Sequence, residues 1–405
     1  MPSPLDPSPI LDDAQIESYR TRFATQLKPA APGRSPIVMG AASGCTVKAA
    51  DGRVYLDMTG GDGVANVGHS HALVVDAIVT QARLYSHGAA EGGMVLPAQV
   101  ELVERLIHAA GGILPAAHWA VSGAESNELA LAVARAYTGR TTVIAFEGSH
   151  HGAVGTSRYI PFTDSDAVRA AIDETVAAVI VEPLQSAASR GPGDDFLPAL
   201  RQWCDDAGTL LIVDEILGGL GRSGTWFSHQ HWDIRPDIIT MAGGLGGGLP
   251  LGVVLSTPEI LGALTGPESC QLAAEGGNPV ACAAGIAVVD VIESEGLVEK
   301  SAVNGAYLRE RLHSVMAQFP EALLDVRGVG LWCVCEVAPS AQVIVDALRA
   351  RGVLASVGDS SQTLRVTPPL VITPAEIDVF IGVLRAVFAS RAGIVVDEGH
   401  ADHDH

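Results

Sequence analysis

Lysine is scarce in this chain of 405 residues. Of its 25 basic side chains only three are lysines, namely Lys28, Lys48 and Lys300. Acidic residues number 46, so the formal net charge is -21. Such a surface lacks the basic face that nucleic acids and anionic membranes require, and we expect neither as a partner. The scarcity of lysine also limits the possible catalytic mechanisms, because few positions can supply an amine nucleophile.

Long apolar runs are also missing. No segment reaches the roughly 18 consecutive apolar residues that a membrane-spanning helix needs. The opening stretch, MPSPLDPSPILDD, has no basic cluster followed by an apolar segment, so it does not resemble a signal peptide. We therefore expect a cytoplasmic protein, in which the 6 scattered cysteines are reduced and buried thiols.

The chain does contain enough apolar material for two cores. Hydrophobic residues make up 48% of it, and its length suits a large domain with a smaller one. We expect an N-terminal arm and hairpin in residues 1–60, a large domain in residues 61–294 and a small C-terminal domain in residues 295–395. Residues 396–405 include three histidines, but we interpret them as a disordered acidic tail and predict no metal site.

Between residues 95 and 255, amphipathic helices alternate with short strands that are apolar throughout. The strands are Val143–Phe146, Ala178–Val181 and Leu210–Val213, and helices include Val100–Ala110 and Ala124–Tyr137. Strands that are apolar on both faces and separated by helices indicate a mostly parallel sheet covered by helices on both sides. The sequence therefore predicts an α/β large domain, and after residue 295 the pattern changes to that of a smaller α+β domain.

Ligands of an open α/β sheet bind beyond the carboxyl ends of its strands, so residues at those ends are the candidates for a site. The turn Ser122–Ala124 precedes a helix, where free backbone N–H groups favour an anion. His150 and the histidine after it follow another strand, a position that suits stacking or acid–base chemistry. Asp214 closes an apolar strand, where a carboxylate is costly unless it has a partner.

The same segments carry a family resemblance. From Ile37 to Ala386 the chain resembles the class III aminotransferases, which use pyridoxal phosphate (PLP) and have the PLP-transferase fold type I. The motifs include YLDM, GHSH at 68–71, SGAESNE at 122–128, VIVEP, LLIVDE, GRSGTWFSHQH, GLGGGLPLG, GGNPVACAA, RGVG at 327–330 and LRVTPPL. SGAESNE and GRSGTWF look closest to the dialkylglycine decarboxylase and omega-amino transaminase branches. The resemblance implies a homodimer with its active site at the subunit interface.

The resemblance assigns roles to three intact parts of the site. In the family, the turn that matches Ser122, Gly123 and Ala124 holds the cofactor phosphate. The aspartate that matches Asp214 keeps the pyridine nitrogen protonated, so that the ring can act as an electron sink. The arginine that matches Arg365 commonly binds a substrate carboxylate through its planar fork of N–H donors.

Five other positions depart from the family pattern. Gly243 stands where the family has its Schiff-base lysine, and Leu217 stands where a glutamine contacts the cofactor. His150 takes the place of the aromatic residue that stacks on the cofactor ring. Before the Gly-Gly-Asn-Pro turn, Ala274 replaces a threonine that reaches the other subunit's phosphate, and Glu275 replaces a phenylalanine.

None of the three lysines is expected to replace the missing one, because none lies at a strand end of the predicted sheet. In such a site lysine is both the covalent anchor and the base that moves the proton, and no other side chain does both. We therefore expect no covalently bound cofactor. PLP or pyridoxamine phosphate (PMP) can be held only non-covalently.

The residues leave three interpretations of function open. The first is a repurposed enzyme that performs isomerisation, cyclisation, elimination or hydrolysis on a small molecule whose carboxylate lies on Arg365. His150, Glu275 and Asp214 would be its acids and bases, with Glu275 of one subunit approaching His150 of the other. The second is a transaminase-like enzyme that binds PLP or PMP non-covalently. The third is a non-catalytic subunit of a related aminotransferase, against which Ala274 counts because a helper should still supply the threonine.

Overall fold

The structure, a computed structural model, describes residues 10–27, 36–88, 93–152, 155, 158–162, 164–185, 193, 195–265, 275–358 and 360–392. Lys28, Cys270 and Ala274 lie outside these residues, as does the tail at 396–405 for which we predicted disorder. Among the helices of the described ranges, none is long and apolar enough to cross a membrane.

Strands and helices alternate along most of the described chain. The strands are β1 (Met39–Ser43), β2 (Thr46–Ala49), β3 (Val54–Asp57), β4 (Ala116–Ala120), β5 (Thr142–Phe146), β6 (Arg158–Ile160), β7 (Val176–Val181), β8 (Leu210–Asp214), β9 (Ile238–Met241), β10 (Gly252–Ser256), β11 (Leu323–Val329), β12 (Trp332–Val337), β13 (Val353–Leu354), β14 (Ser356–Val357) and β15 (Thr363–Val366).

The helices cover the sheets and connect their strands. They are α1 (Asp13–Gln26), α2 (Ala72–Leu84), α3 (Pro97–Ala109), α4 (Gly123–Thr138), α5 (Ser165–Ala171), α6 (Phe196–Ala207), α7 (Pro279–Ser294), α8 (Leu297–Gln318), α9 (Ala341–Ala350) and α10 (Pro374–Ala392). Short helical turns occur at Gly60–Gly63, Ser228–Trp232, Gly243–Gly246 and Pro258–Leu261.

A seven-stranded sheet in the order β4-β10-β9-β8-β7-β5-β6 forms the centre of the described fold. Strands β7 and β8 are buried at every residue, as expected for strands that are apolar on both faces. Strands β9, β8, β7, β5 and β6 run parallel, and β10 is antiparallel to both β9 and β4. The predicted α/β fold with a mostly parallel sheet is confirmed, and β10 is an antiparallel strand that the sequence analysis did not identify.

This strand arrangement brings the candidate site residues to one edge of the sheet. Because β10 is antiparallel to both β4 and β9, strand β4 points the same way as β5, β8 and β9. The carboxyl ends of these four strands therefore lie at a common edge. Ser122, His150 and Gly243 follow three of those ends, and Asp214 is the last residue of β8.

Two smaller four-stranded sheets complete the described fold, in the orders β1-β2-β3-β13 and β11-β12-β15-β14. Strand β13 pairs in parallel with β3, so the N-terminal hairpin shares a sheet with a strand from near the end of the chain. Strand β15 lies between β12 and β14 and carries Arg365, which pairs with Val334 and Ser356 across the sheet. The arginine is thus fixed on a strand rather than on a loop.

Candidate functional site

The Asp214 carboxylate is held by three hydrogen bonds at the sheet edge. It ends β8 and is 4% exposed. Its Oδ2 atom accepts hydrogen bonds from Asn127 Nδ2 at 2.8 Å and from His151 Nδ1 at 2.7 Å, and its Oδ1 atom accepts one from the backbone N–H of Ile216 at 3.0 Å. These donors supply the partners that a buried carboxylate requires.

Asn127 is itself fixed by the two elements beside it. Its Nδ2 atom also donates to the backbone oxygen of His151 at 3.1 Å, and its Oδ1 atom accepts from Thr240 Oγ1 at 2.7 Å. Asn127 lies on helix α4 and Thr240 on strand β9, so helix and sheet together orient the Asp214 carboxylate. Such preorganised polar contacts hold a functional group in one direction without further ordering when a ligand binds.

His151 belongs to the site, although the sequence analysis assigned roles only to its neighbour His150. Burial lowers the pKa of the His151 imidazole. Its hydrogen bond to Asp214, the charge of Asp214 and the charge of Glu182 outweigh that effect, so the pKa is raised above 6.5. The imidazole and the Asp214 carboxylate form a buried pair, in which the carboxylate favours the charged form of His151.

The start of helix α4 is open and positive. Ser122 caps it by accepting the backbone N–H of Glu125 at 3.3 Å, and both Ser122 and Ala124 are exposed. Packing is tight beside this helix start: a Cβ on Gly123 would lie 2.9 Å from Ile216 Cδ1, and Gly152, whose φ is +80°, could not carry a Cβ without a contact of 2.6 Å to the Cβ of Ala124. The exposed N-terminus of a helix of this length suits an anionic group.

Gly243 follows β9 in a conformation that L side chains rarely adopt. Its φ is +55°, and a Cβ there would lie 2.9 Å from the backbone oxygen of Ile216. Ile216 comes two residues after Asp214, so position 243 borders the site even though it has no side chain. Any larger residue at 243 would strain the backbone or displace the Ile216 carbonyl.

His150 and Glu275 have exposed side chains. The backbone N–H of His150 donates to Glu182 Oε2 at 3.1 Å, which fixes the loop after β5. The turn that begins at Glu275 packs on the end of β4, where a Cβ on Gly276 would lie 2.9 Å from the backbone carbon of Trp119. The approach of Glu275 to His150 of a second subunit stays a prediction.

Arg365 has a partner that the sequence analysis did not anticipate. Its Nη2 atom donates to Asp62 Oδ1 at 2.8 Å, and its Nε atom donates to Ser356 Oγ at 3.2 Å. Asp62 is separated from Arg365 by 303 positions along the chain. The guanidinium that we expected to bind a substrate carboxylate therefore already contacts a carboxylate of its own chain.

The two described lysines lie on elements that do not end at the common edge of the sheet. Lys48 is on β2, where it pairs with Ala41 and Val54. Lys300 is exposed on helix α8. Neither follows the carboxyl end of a strand of the central sheet, in agreement with the expectation from sequence.

The model of the family "Aminotransferase class-III" matches residues 29–158 and 161–388. The chain belongs to this family. It is 36% identical over 374 residues to an acetylornithine aminotransferase from Methanosarcina mazei, covering 87% of this chain and 92% of that one. It is 35% identical over 387 residues to an acetylornithine aminotransferase from Mycolicibacterium smegmatis, covering 89% of this chain and 95% of that one.

Solved structures of aminotransferases have the same fold. An aminotransferase from Bacillus anthracis has a TM-score of 0.86 and 25% identity, covering 94% of this chain and 100% of that one. An ornithine aminotransferase from Toxoplasma gondii has a TM-score of 0.85 and 24% identity, covering 93% and 95%. The two curated relatives are named acetylornithine aminotransferases, whereas two motifs had suggested the dialkylglycine decarboxylase and omega-amino branches.

The buried pair of His151 and Asp214 predicts a pH-dependent contribution to stability. Because the pKa of His151 is raised in the folded chain, the pair stabilises fully below pH 6.5 and less as the pH rises through the folded pKa. We expect the difference in free energy of unfolding between the wild type and His151→Gln to shrink with rising pH in that range. Urea unfolding of both proteins across the pH series measures it, and a difference that is constant with pH would contradict the assignment.

Proposed function

We propose that this chain is an enzyme that holds PLP or PMP without a covalent bond to lysine. The observation that supports this most is the buried Asp214 carboxylate, held by Asn127 and by the imidazole of His151. A buried carboxylate at the edge where ligands bind suits a protonated pyridine nitrogen. Membership of a PLP-dependent family supports cofactor binding over cofactor-free chemistry.

The residues fit the ring nitrogen and the phosphate of such a cofactor, but they offer no amine to its aldehyde. Asp214 suits the ring nitrogen, and the open start of helix α4 at Ser122 suits the phosphate. Ser122 and Ala124 at that helix start are exposed, so its backbone N–H groups can be reached by a phosphate. Gly243 offers no amine to the cofactor aldehyde, and its backbone conformation disfavours any side chain. We therefore propose reversible binding.

Each retained side chain has a task in this proposal. A bound cofactor of this type supplies an electron sink for bonds broken next to an amine. Asp214 holds a proton at the ring nitrogen, and the imidazole of His151 orients that carboxylate through their hydrogen bond of 2.7 Å. His150, which is exposed after β5 and takes the ring-face position by resemblance, moves the proton at the reacting carbon. Arg365 orients a small substrate through its carboxylate.

A second candidate is cofactor-free acid–base chemistry on a small carboxylate-bearing molecule. It is favoured by one observation, namely that the two ionisable residues which replace aromatic ones, His150 and Glu275, both have exposed side chains. For both candidates we propose a homodimer with the site at the interface, because the family resemblance places Glu275 there. The two candidates differ in whether PMP binds.

PMP should bind the purified, colourless protein reversibly. Because Asp214 and the α4 start are retained, we expect a dissociation constant on the order of micromolar by isothermal titration calorimetry. Dialysis should remove the PMP completely. Inorganic phosphate, the control ligand, lacks the ring and should bind at least about 10-fold more weakly. If calorimetry detects no PMP binding at about 1 mM ligand, the proposal fails and the cofactor-free candidate is preferred.

A further inference from the structure

We propose that Glu182 and Gln185 are positioning residues, which act on the cofactor through the loop that follows β5. We call this loop, residues 147–151, the histidine loop. Glu182 and Gln185 hold it so that His150 presents its side chain to the cofactor ring. This inference deepens the proposed function and rests on the ring-face position that His150 has in it.

Both side chains come from the carboxyl end of β7. This strand pairs in parallel with β5, so the residues after Val181 lie at the same edge of the sheet as the histidine loop. Glu182 and Gln185 are each 5% exposed. Polar side chains buried to this extent require hydrogen-bond partners, and the histidine loop supplies partners to both.

Gln185 holds the first half of the histidine loop. Its Nε2 atom donates to the backbone oxygen of Glu147 at 2.9 Å and to Ser149 Oγ at 3.3 Å. A Cβ on Gly148, whose φ is +79°, would lie 3.6 Å from Gln185 Oε1, so the amide group lies against the turn at this glycine. One buried side chain therefore contacts three successive residues of the loop.

Glu182 holds the second half of the histidine loop. Its Oε2 atom accepts the backbone N–H of His150 at 3.1 Å. The charge of Glu182 also acts on the next residue, since it is one of the causes that raise the pKa of His151. The Glu182 carboxylate is therefore close to both histidines.

The backbone of the histidine loop decides which of the two imidazoles turns inward. His151 has its own anchors, because its backbone oxygen accepts from Asn127 at 3.1 Å and its Nδ1 atom bonds to Asp214 at 2.7 Å. With the N–H of His150 held by Glu182, the His150 side chain is left exposed. A misplacement of about 1 Å can cost a functional group roughly 100-fold in rate, so support of this backbone bears directly on the site.

The test compares two substitutions of Glu182 that differ in one hydrogen bond. Glu182→Gln keeps an oxygen that can accept from His150, Glu182→Leu has none, and both remove the charge. By calorimetry, Glu182→Leu should bind PMP about 10-fold more weakly than Glu182→Gln. In nuclear magnetic resonance spectra of histidine-labelled protein, PMP should shift the ring signal of His150 in the wild type and in Glu182→Gln, but not in Glu182→Leu. The signal is assigned by its absence in His150→Ala.

Gln185→Met removes the other support and should have the same two effects as Glu182→Leu. It also decides the matter if Glu182→Leu does not fold. Gln81→Met is the matched control, because Gln81 is 9% exposed and its Nε2 atom donates to the backbone oxygen of Tyr85 at 3.1 Å on helix α2. It should change neither the PMP affinity nor the shift of the His150 signal.

Two results would overturn the inference and leave reversible cofactor binding in place. One is PMP binding to the wild type without a shift of the His150 signal. The other is a wild-type PMP affinity and a wild-type shift in Gln185→Met or in Glu182→Leu. Failure of the wild type to bind PMP would instead remove the proposed function, and the inference with it.

Discussion

Asparagine at position 214 is expected to weaken PMP binding about 100-fold, which corresponds to about 2.8 kcal/mol. The substitution keeps the size of the side chain and an oxygen that can accept from His151 or Asn127. It removes the negative charge that would pair with a protonated ring nitrogen, and charge-assisted hydrogen bonds are roughly twice as strong as neutral ones. It also leaves the buried imidazole of His151 without its counter-charge. An uncompensated positive charge on His151 would disfavour a protonated ring nitrogen nearby.

The next residue along the chain offers a matched control. Glu215 is 1% exposed and accepts hydrogen bonds from Ser228 and from the imidazole and backbone of His229. Glu215→Gln therefore perturbs an equally buried carboxylate with a histidine partner, outside the proposed cofactor site. We expect it to lower the free energy of unfolding and to leave PMP affinity within about threefold of wild type. Equal losses of affinity in both variants would contradict a specific role for Asp214.

The largest effect on stability is expected from a single methyl group on helix α8. A Cβ on Gly305 would lie 1.9 Å from the backbone oxygen of Gly330, so the helix and the loop between β11 and β12 approach each other at backbone contact. Gly305→Ala should lower the free energy of unfolding by about 3 kcal/mol or more, because neither backbone can move without repacking its neighbours. Glycine at 330, the end of the RGVG motif, has a separate reason: its φ is +56°, and a Cβ there would lie 2.4 Å from the backbone carbon of Ser223.

Gly382→Ala is the control for Gly305→Ala. Gly382 lies within helix α10, and among the described residues no atom outside the adjoining helix backbone comes within 4 Å of a Cβ placed there. Alanine should therefore stabilise the helix by about 0.5–1 kcal/mol, since it loses less backbone freedom on folding than glycine does. Urea unfolding of both variants measures the two effects. Similar free energies of unfolding for the two alanine variants would contradict the packing argument.

Local patterns were sufficient to predict the elements that build the site. The wholly apolar runs predicted β7 and β8, and the caps and periodicity predicted α4, with ends that differ from the structure by a residue or two. The carboxyl ends of parallel strands lie at one edge of a sheet, so the sequence also predicted that Ser122, Asp214 and Gly243 lie at that edge, as they do in the structure. The antiparallel orientation of β10 could not be predicted from local patterns, because an apolar run does not indicate which strand it pairs with.

The contacts that define the site were harder to predict. Of two adjacent histidines, His151 is buried on Asp214 and His150 is exposed, and the sequence alone does not indicate which one turns inward. The pairing of Asp62 with Arg365 joins positions 303 residues apart through a left-handed turn. Glycines on both sides of Asp62 were a signal for an unusual backbone, but they did not identify its partner.

Borohydride reduction of the PLP-saturated protein, followed by mass spectrometry of its peptides, tests the central claim most directly. Reduction fixes any PLP that is covalently bound to a lysine, and the chain has only Lys28, Lys48 and Lys300 to offer. The acetylornithine aminotransferase from Methanosarcina mazei is a suitable relative to treat in parallel. We predict no pyridoxyl group on any of the three lysines, with the PLP recovered from solution in reduced form. A pyridoxyl group on any one of them would contradict the proposal that the cofactor is held without a covalent bond.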